Sequence, residues 1–510
     1  MNAIDLGTRR ELFVDTHLID ALEGTALRLH EPKPAGRVFA PEMPWEGEHD
    51  GYYTVLQDGG EFRMYYRAFP PTQKGVKFPY DGTVERTCLA VSTDGIRWTR
   101  PDLGLYEVCG TRRNNVILAD DPPFSSNFAP FIDANPAAPS EERYKAVAGM
   151  GDKMLIFRRG LQPMEKAGLF AFTSPDGIRW RRSERRIFMD GTRCFDSHNV
   201  AHWAPAEGRY VLYYRQHTLG GTPEFVTTDG HEYFHAKTVC RATSPDFVRW
   251  SGREVIDFDG HPPTPQECIY YTGAMPYFRA PHITVCLAMR FMQRRSALTD
   301  AQTRPIADEL EAAGRWCGSL RETGKFWLND DCTDTVFFTA RAGARFDRRF
   351  MEGFIRPGPG ARNWTSRSNM TARGVLQTGP EEMSVYVVRQ YGQMTQHIER
   401  MTLRLDGFTS LHAPYRGGGM TTKPLTFAGR RLTLNYATSA AGWVRVEITD
   451  PAGMPIRGFA LADCAELLGD EIERTVRWTS GDDLSALAGR PVRLRFEMKD
   501  ADVYSIRFAE

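Results

Sequence analysis

Four carboxylates stand in segments crowded with aromatic residues: Asp50 in "WEGEHDGYYTVL", Asp133 in "NFAPFIDANP", Asp196 in "CFDSHNVAHW" and Glu267 in "PQECIYYTGAMPYF". A carboxylate among Phe, Tyr and Trp is costly to bury unless it is paired or put to use. Two such groups across a sugar-sized gap can break a glycosidic bond. One protonates the leaving oxygen while the other activates water or attacks the anomeric carbon. A third nearby raises the acid's pKa and orients the sugar. Each of the four, taken singly, reads as readily as a turn cap or a solvated charge; their recurrence at comparable places gives them weight.

The same segments carry groups suited to holding a sugar. Trp45, Tyr52, Trp203, Tyr271 and Tyr277 offer stacking faces. His49 adjoins Asp50, while His198, Asn199 and His202 follow Asp196, with His198 on the same strand face as Asp196. These histidines fit hydroxyl ligands or satisfied core residues better than metal ligands, because no H-x-H or H-E-x-x-H spacing is present. Arg215, closing "VLYYR", and Arg367, with Asn369 in "RSN", can reach inward to a hydroxyl or carboxylate, or stay as surface charges. No cofactor is expected, and an axial metal ion is not indicated.

What must position these residues is a repeat. "AVSTDGIRWTR" (90–100) returns as "AFTSPDGIRWRR" (171–182) and more loosely as "ATSPDFVRWSG" (242–252). In each copy a Ser precedes an Asp by two residues and a Trp follows four later. The Asp can accept backbone N–H groups in a tight turn, Gly95 and Gly177 can take positive φ, and the Trp can staple the next strand. The copies recur at about 80 and 70 residues, the length of a four-stranded sheet with its loops. Upstream stand apolar or alternating runs, "FRMYYRAF" (62–69), "RYKAVAGM" (143–150) and "RYVLYYRQ" (209–216), that read as buried strands. "HITVCLAMRF" (282–291) and "EMSVYVVRQYG" (382–392) fit the same strand, and "LDGFTSL" (405–411) reads as a worn copy of the turn. Five units over about 400 residues predict a five-bladed β-propeller, in which the innermost strands line a central channel. A row of β-sandwiches is the competing arrangement.

Helical pattern is confined to 303–324, with Ile306, Leu310 and Ala313 on one face, expected as an insertion in the fourth blade. After residue 411 the runs alternate regularly between Gly, Pro and Asp turns, which predicts a β-sandwich. The expected class is therefore all-β, with a propeller over residues 1–411 and a sandwich over 412–510. The sandwich could bind carbohydrate or simply pack against the propeller.

Sixty-four basic residues balance 64 acidic ones among 510, so no overall charge favours nucleic acid or an anionic membrane. The N-terminal stretch lacks a signal-peptide pattern and no run is long and apolar enough to span a bilayer, which makes a cytoplasmic protein the expectation. Nine cysteines without a C-x-x-C pair argue against a disulfide framework or a zinc site. A homo-oligomer is possible on this reading.

The S-x-D-x-x-x-W turn, the "FIDANP" segment, similar to an Arg-Asp-Pro motif, and the pair in "QEC" resemble the five-bladed propeller glycosidases of glycoside hydrolase families 32, 43, 62 and 68. The C-terminal sandwich is similar to the appendage of family 32 members. The resemblance implies Asp50 as nucleophile or base, Asp133 as transition-state stabiliser and Glu267 as acid. The Asn-Asp-Pro core of family 32 is absent, with "EHDGYY" in its place. Glu267 also falls in the fourth blade, later than those families place the acid, which leaves Asp196 as the alternative acid and Glu267 as a ligand. The expected function is a glycosidase, exo-acting on a small glycan; furanosides such as fructofuranosyl or arabinofuranosyl units are favoured by the resemblance. The alternatives are a phosphorylase, which needs several Arg or Lys at the centre, and a non-catalytic sugar-binding propeller.

Overall fold

The runs rich in Tyr, Val and Ala each form the second strand of an antiparallel sheet. The computed structural model describes residues 3–73, 84–119, 121, 123–125, 127–151, 164–191, 194–216, 225–228, 231–234, 238–264, 266–315, 327–329 and 331–510, and within them five such sheets form the blades of a propeller. Blade one comprises Gly51–Asp58, Glu61–Ala68, Arg86–Ser92 and Val116–Leu118. Blade two comprises Ala129–Ile132, Tyr144–Met150, Gly168–Ser174 and Arg181–Arg182. Blade three comprises Val200–Ala204, Arg209–Gln216, Thr238–Ser244 and Glu254–Val255. In blade four, Glu267–Tyr271 and Met275–Tyr277 share the inner position beside Ala280–Gln293, which pairs with Asp331–Ala340. Blade five sets Met370–Thr371 and Leu376–Gln377 beside Glu382–Arg389 and His397–Arg404, and Lys33–Phe39 from near the other end of the chain supplies its outermost strand. That strand closes the ring and covers an edge.

The repeated phrase makes the turn expected of it. Ser92 Oγ accepts from the N–H groups of Asp94 and Gly95, and Asp94 Oδ1 accepts from those of Ile96 and Arg97 at 2.8 and 2.7 Å. The pattern returns at Ser174–Asp176 and Ser244–Asp246. Gly95, Gly177 and Phe247 hold φ of 70°, 72° and 65°. Each turn also leans on the preceding blade. Tyr386 of blade five donates to Gly95 O at 2.6 Å, Tyr65 of blade one donates to Gly177 O at 3.1 Å, and Phe131 of blade two meets the Phe247 ring at 5.6 Å. A Cβ on Gly177 would lie 2.6 Å from both Arg63 Nη1 and Tyr65 Oη, so glycine is required by contact as well as by φ. The phrase thus joins blades together as well as turning the chain.

The helical insertion is Asp300–Ala312, in blade four, with Ile306 and Leu310 buried; Ala313 is exposed past the helix end. Residues 316–324 of the expected helix lie outside the described residues. "LDGFTSL" is not a copy of the turn: Asp406, at φ 62°, accepts from Tyr277 Oη at 2.8 Å and Ser505 Oγ at 2.6 Å, tying blade four to the second domain.

That domain differs from the expected 412–510 in drawing strands from both ends of the sequence. Arg10–Leu12, Ile19–Glu23 and Ala26–Leu29 join Thr409–Ala413, Gly418–Thr422, Arg431–Thr449, Asp470–Thr475 and Arg493–Ala509 in one hydrogen-bonded set. The first thirty residues therefore belong with the sandwich, because their apolar positions, Leu6, Phe13, Leu18 and Ile19, fill the same core as Val446, Phe496 and Phe508. Register shifts at Asn435/Tyr436 and Thr438/Trp443 break the long pairing of 431–449 with 493–509 and let the sheet fold over that core. The two domains meet through Leu12, Val14 and Phe408, whose ring stacks on Phe337 of blade four at 5.2 Å.

Candidate active site

All inner strands begin at one end of the propeller axis, and the second strands of blades one to four end there, at Ala68, Met150, Gln216 and Gln293. Two levels can be distinguished there.

The lower level closes the axis. Arg373, on the inner edge of blade five and 3% exposed, donates from Nε to Ala274 O, from Nη1 to Pro130 O and from Nη2 to Ala201 O, at 3.1, 2.9 and 3.0 Å. Its backbone N–H meets Tyr53 O at 2.9 Å, so one residue touches all five blades. Burial lowers its pKa to about 10, which leaves it a cation at neutral pH. Thr54 Oγ1 and His198 Nε2 face each other across the axis at 3.3 Å. The Tyr52 and His198 rings are stacked at 5.5 Å, and Tyr271 stands edge-on to both. Burial, then Arg373 and Arg67, push His198 down to about 3, so it is neutral.

The upper level is a ring in which three arginines alternate with three tyrosines. Arg67 of blade one donates to Tyr391 Oη at 3.1 Å and lies over the Tyr52 ring at 4.6 Å. Arg215 of blade three lies over the Tyr270 ring at 4.2 Å, within the electrostatic reach of Tyr52. Arg367 completes the circuit beside Tyr270 and Tyr391. Three carboxylates face the arginines: Asp196 pairs with Arg215 at 2.8 Å, Glu85 stands near Arg67 and Asp331 near Arg367. His49 sits edge-on to Tyr391 at 5.3 Å; burial, then Arg67 and Arg367, lower its pKa to about 3.

The backbone is bent to make this ring. Tyr52, Phe195, Arg367, Asn369 and Gln390 hold φ of 53°, 64°, 58°, 109° and 59°, each within or next to it. Residues other than glycine occupy this region at a cost and concentrate at functional sites. At Tyr52 a register shift between Gly51 and Thr54 re-aims the side chain toward the axis.

The carboxylates of the sequence analysis separate. Asp196 stands in the upper ring. Asp50 begins the inner strand of blade one at the same end, but Oδ1 accepts from the N–H groups of Gly47 and Phe69 at 3.1 and 2.9 Å, while Oδ2 has no hydrogen-bond partner among the described residues. Burial, with Glu46 second, raises its pKa well above the usual carboxylate range. Asp133 follows its inner strand instead of preceding it, so it lies at the opposite end of the axis, accepting from Tyr210 Oη at 2.7 Å and pairing with Lys145 at 2.8 Å. In blade two the place before the inner strand is held by Asn127, which donates to Phe195 O at 3.1 Å. Glu267 is turned sideways into an ion pair with buried Arg348 and stands apart from the ring. The four therefore do not meet in one hollow.

The expected ligands separate likewise. His49, Arg215 and Arg367 border the ring, and His198 and Tyr271 floor it. Trp45 is buried in blade one, donating to Asn115 Oδ1 at 3.0 Å. Asn199 braces its own loop, donating to Phe195 O and Ser197 O at 3.0 Å each. His202 packs against Tyr213 between blades three and four. Trp203 and Tyr277 lie toward the opposite end, against Tyr210 and Asp406. A separate cleft of about 540 Å³ between propeller and sandwich, with Arg10, Arg279 and Glu473 in its walls, includes no residue of the ring. Among the described residues no cluster of His, Cys, Asp and Glu is arranged to hold a metal ion.

Sequence reasoning missed Arg67, Tyr270, Tyr391, Glu85, Asp331 and Arg373. One signal was present: "MYYRAF" and "LYYRQ" place Arg67 and Arg215 at the same position of the repeat.

No family model and no curated protein matches this chain. Solved structures similar to it include a glycoside hydrolase family 43 arabinoxylan arabinofuranohydrolase from Bacillus subtilis, at 12% identity, TM-score 0.38, covering 92% of this chain and 96% of that one. A β-1,2-mannobiose phosphorylase from Listeria innocua is similar at 10% identity and TM-score 0.40, over 73% of this chain and 92% of that one. An N-acetylgalactosamine deacetylase from F. plautii is similar at 12% identity and TM-score 0.43, over 75% and 96%.

Proposed function

We propose that the chain is a glycosidase whose active site is the upper ring, with Asp196 as the carboxylate that meets the anomeric centre and Asp50 as the proton donor. The observation that carries this reading is the contrast between the two groups at one end of the axis: Asp196 is ion-paired with Arg215, whereas Asp50 is buried, its pKa raised by that burial, with Oδ2 lacking a hydrogen-bond partner among the described residues. Environments that push two carboxyl groups toward opposite protonation states divide acid from base or nucleophile.

Arg373, Thr54, His198 and Tyr271 close the axis beneath the ring, so a substrate can approach it from one end alone. That one-sided approach supports exo action on a terminal residue, with a furanoside as the substrate class.

The test uses the full chain on a panel of furanosides and pyranosides with a reducing-end assay. Asp196→Asn is expected to cut turnover about 10²–10⁴-fold with an unchanged circular dichroism spectrum. Asp50→Asn keeps the shape of the neutral carboxyl and removes only its acidic proton, so an equal loss marks a proton donor. Near-wild-type rates in both variants would overturn the assignment.

A further inference from the structure

Resting on the reading of the upper ring as the active site, we propose that this ring also binds an oxyanion, either inorganic phosphate acting as co-substrate or the acidic group of a carboxylated, sulfated or phosphorylated sugar. Neutral sugars need hydroxyl partners, which one or two arginines commonly provide. Three guanidinium groups brought from separate parts of the propeller into one ring are a different arrangement, since each is a planar fork of donors matched to oxyanion geometry.

Donors are left over. Arg215 is 1% exposed, and after Nη2 is committed to Asp196 its Nε and Nη1 have no hydrogen-bond partner among the described residues. Arg67 gives Nη2 to His49 O and Tyr391 Oη, and its Nε is likewise unpartnered and buried. Buried donors without acceptors are rare in native proteins and call for a group that satisfies them. Asp196, Glu85 and Asp331 offset much of the ring's positive charge, so the fit to an oxyanion rests on the leftover buried donors; burial raises the Asp50 pKa well above the usual carboxylate range, and Arg67 and Arg367 both help to keep a proton off His49. Tyr52, Tyr270 and Tyr391 are set between the guanidiniums in the same ring.

In the phosphate case the bond from the anomeric carbon to the leaving oxygen breaks with its electron pair going to that oxygen, which takes the Asp50 proton. An oxygen of hydrogen phosphate forms the new bond to the anomeric carbon, and the hydrogen of that phosphate restores Asp50. In the acidic-sugar case the oxyanion is part of the substrate and water is the acceptor.

Isothermal titration with inorganic phosphate, sulfate and glucuronate as probes tests the inference on the full chain, independently of turnover. At least one probe is expected to bind, with affinity that weakens as salt is raised. Arg215→Met and Arg67→Met should each weaken it at least tenfold, and Arg215→Lys, which keeps the charge without the fork, should fall between. Circular dichroism checks that each variant is folded. A turnover arm separates the sources: phosphate-dependent release of a sugar 1-phosphate marks phosphate as co-substrate, and hydrolysis confined to acidic glycosides marks the sugar. No binding of any probe at 10 mM, or cleavage of neutral glycosides that neither phosphate nor sulfate alters, overturns the oxyanion site while leaving glycoside cleavage standing. Probe binding without turnover of any glycoside has the opposite meaning, keeping the anion site and removing the glycosidase reading.

Discussion

Replacing Arg373 by Met tests whether the ring of blades is held at its centre. The substitution removes three hydrogen bonds from a charged donor and leaves the carbonyls of Pro130, Ala201 and Ala274 in a buried place. A lost bond that leaves its partner unsatisfied costs about 1–3 kcal/mol, or about 6 kcal/mol for three. Against this stands relief from burying a cation. The lowering of the Arg373 pKa by burial, to about 10, corresponds to a penalty of about 3 kcal/mol. The bonds win, and the net loss is about 3 kcal/mol, a large share of the roughly 5–15 kcal/mol that stabilises an ordinary domain. Urea unfolding followed by tryptophan fluorescence and circular dichroism gives the number. Arg373→Lys, which keeps the charge but cannot span three carbonyls, is expected to lie between Met and wild type. A Met variant within 1 kcal/mol of wild type would show that packing between blades, and not the axial guanidinium, holds the ring.

Other outcomes follow from the same geometry. His49, His198 and His202 are buried with lowered pKa, so below pH 6.5 the unfolded chain binds protons that the folded one refuses, and stability falls with pH. Asp50, with its raised pKa, works in the other direction and offsets part of this, and the net slope is about 2 kcal/mol per unit between pH 6 and 5; a melting temperature unchanged from pH 7 to 5 would count against it. Gly104→Ala meets open space at φ 68° and is expected to cost about 1 kcal/mol, whereas Gly177→Ala also meets Arg63 and Tyr65 and should cost about 2–4 kcal/mol. Equal urea midpoints for the two would mean that the turn is not clamped to blade one.

Much of the architecture could be read from the sequence because a blade announces itself twice, by its buried second strand and by its S-x-D-x-x-x-W turn. The N-terminal strands could not, since "REL" and "IDALE" are too short to carry a period and their pairing partners lie some 400 residues away. The site was legible in part. Asp196, Arg215, Arg367 and His49 were found by looking just before inner strands or at the ends of second strands. Asp133 misled because it follows its strand, which reverses its end of the axis. Glu267 misled because its partner, Arg348, is remote in sequence and in no motif. Arg67 was overlooked although it shares the repeat position of Arg215, because attention rested on acids.

The outermost strand of blade five bears on how the protein is made. Lys33–Phe39 is made about 360 residues before its partner, His397–Arg404, and Arg10–Leu12 before it pairs with Ser505–Arg507. At roughly 5–20 residues per second, this opening segment stays without its mates for something like 20–70 seconds of translation. Blades one to four can form in that interval, but neither ring nor sandwich can be sealed until His397–Arg404 and Arg493–Ala509 have been made. The unpaired segment is then the natural place for a chaperone to act, and separate expression of either half would leave strands without a sheet.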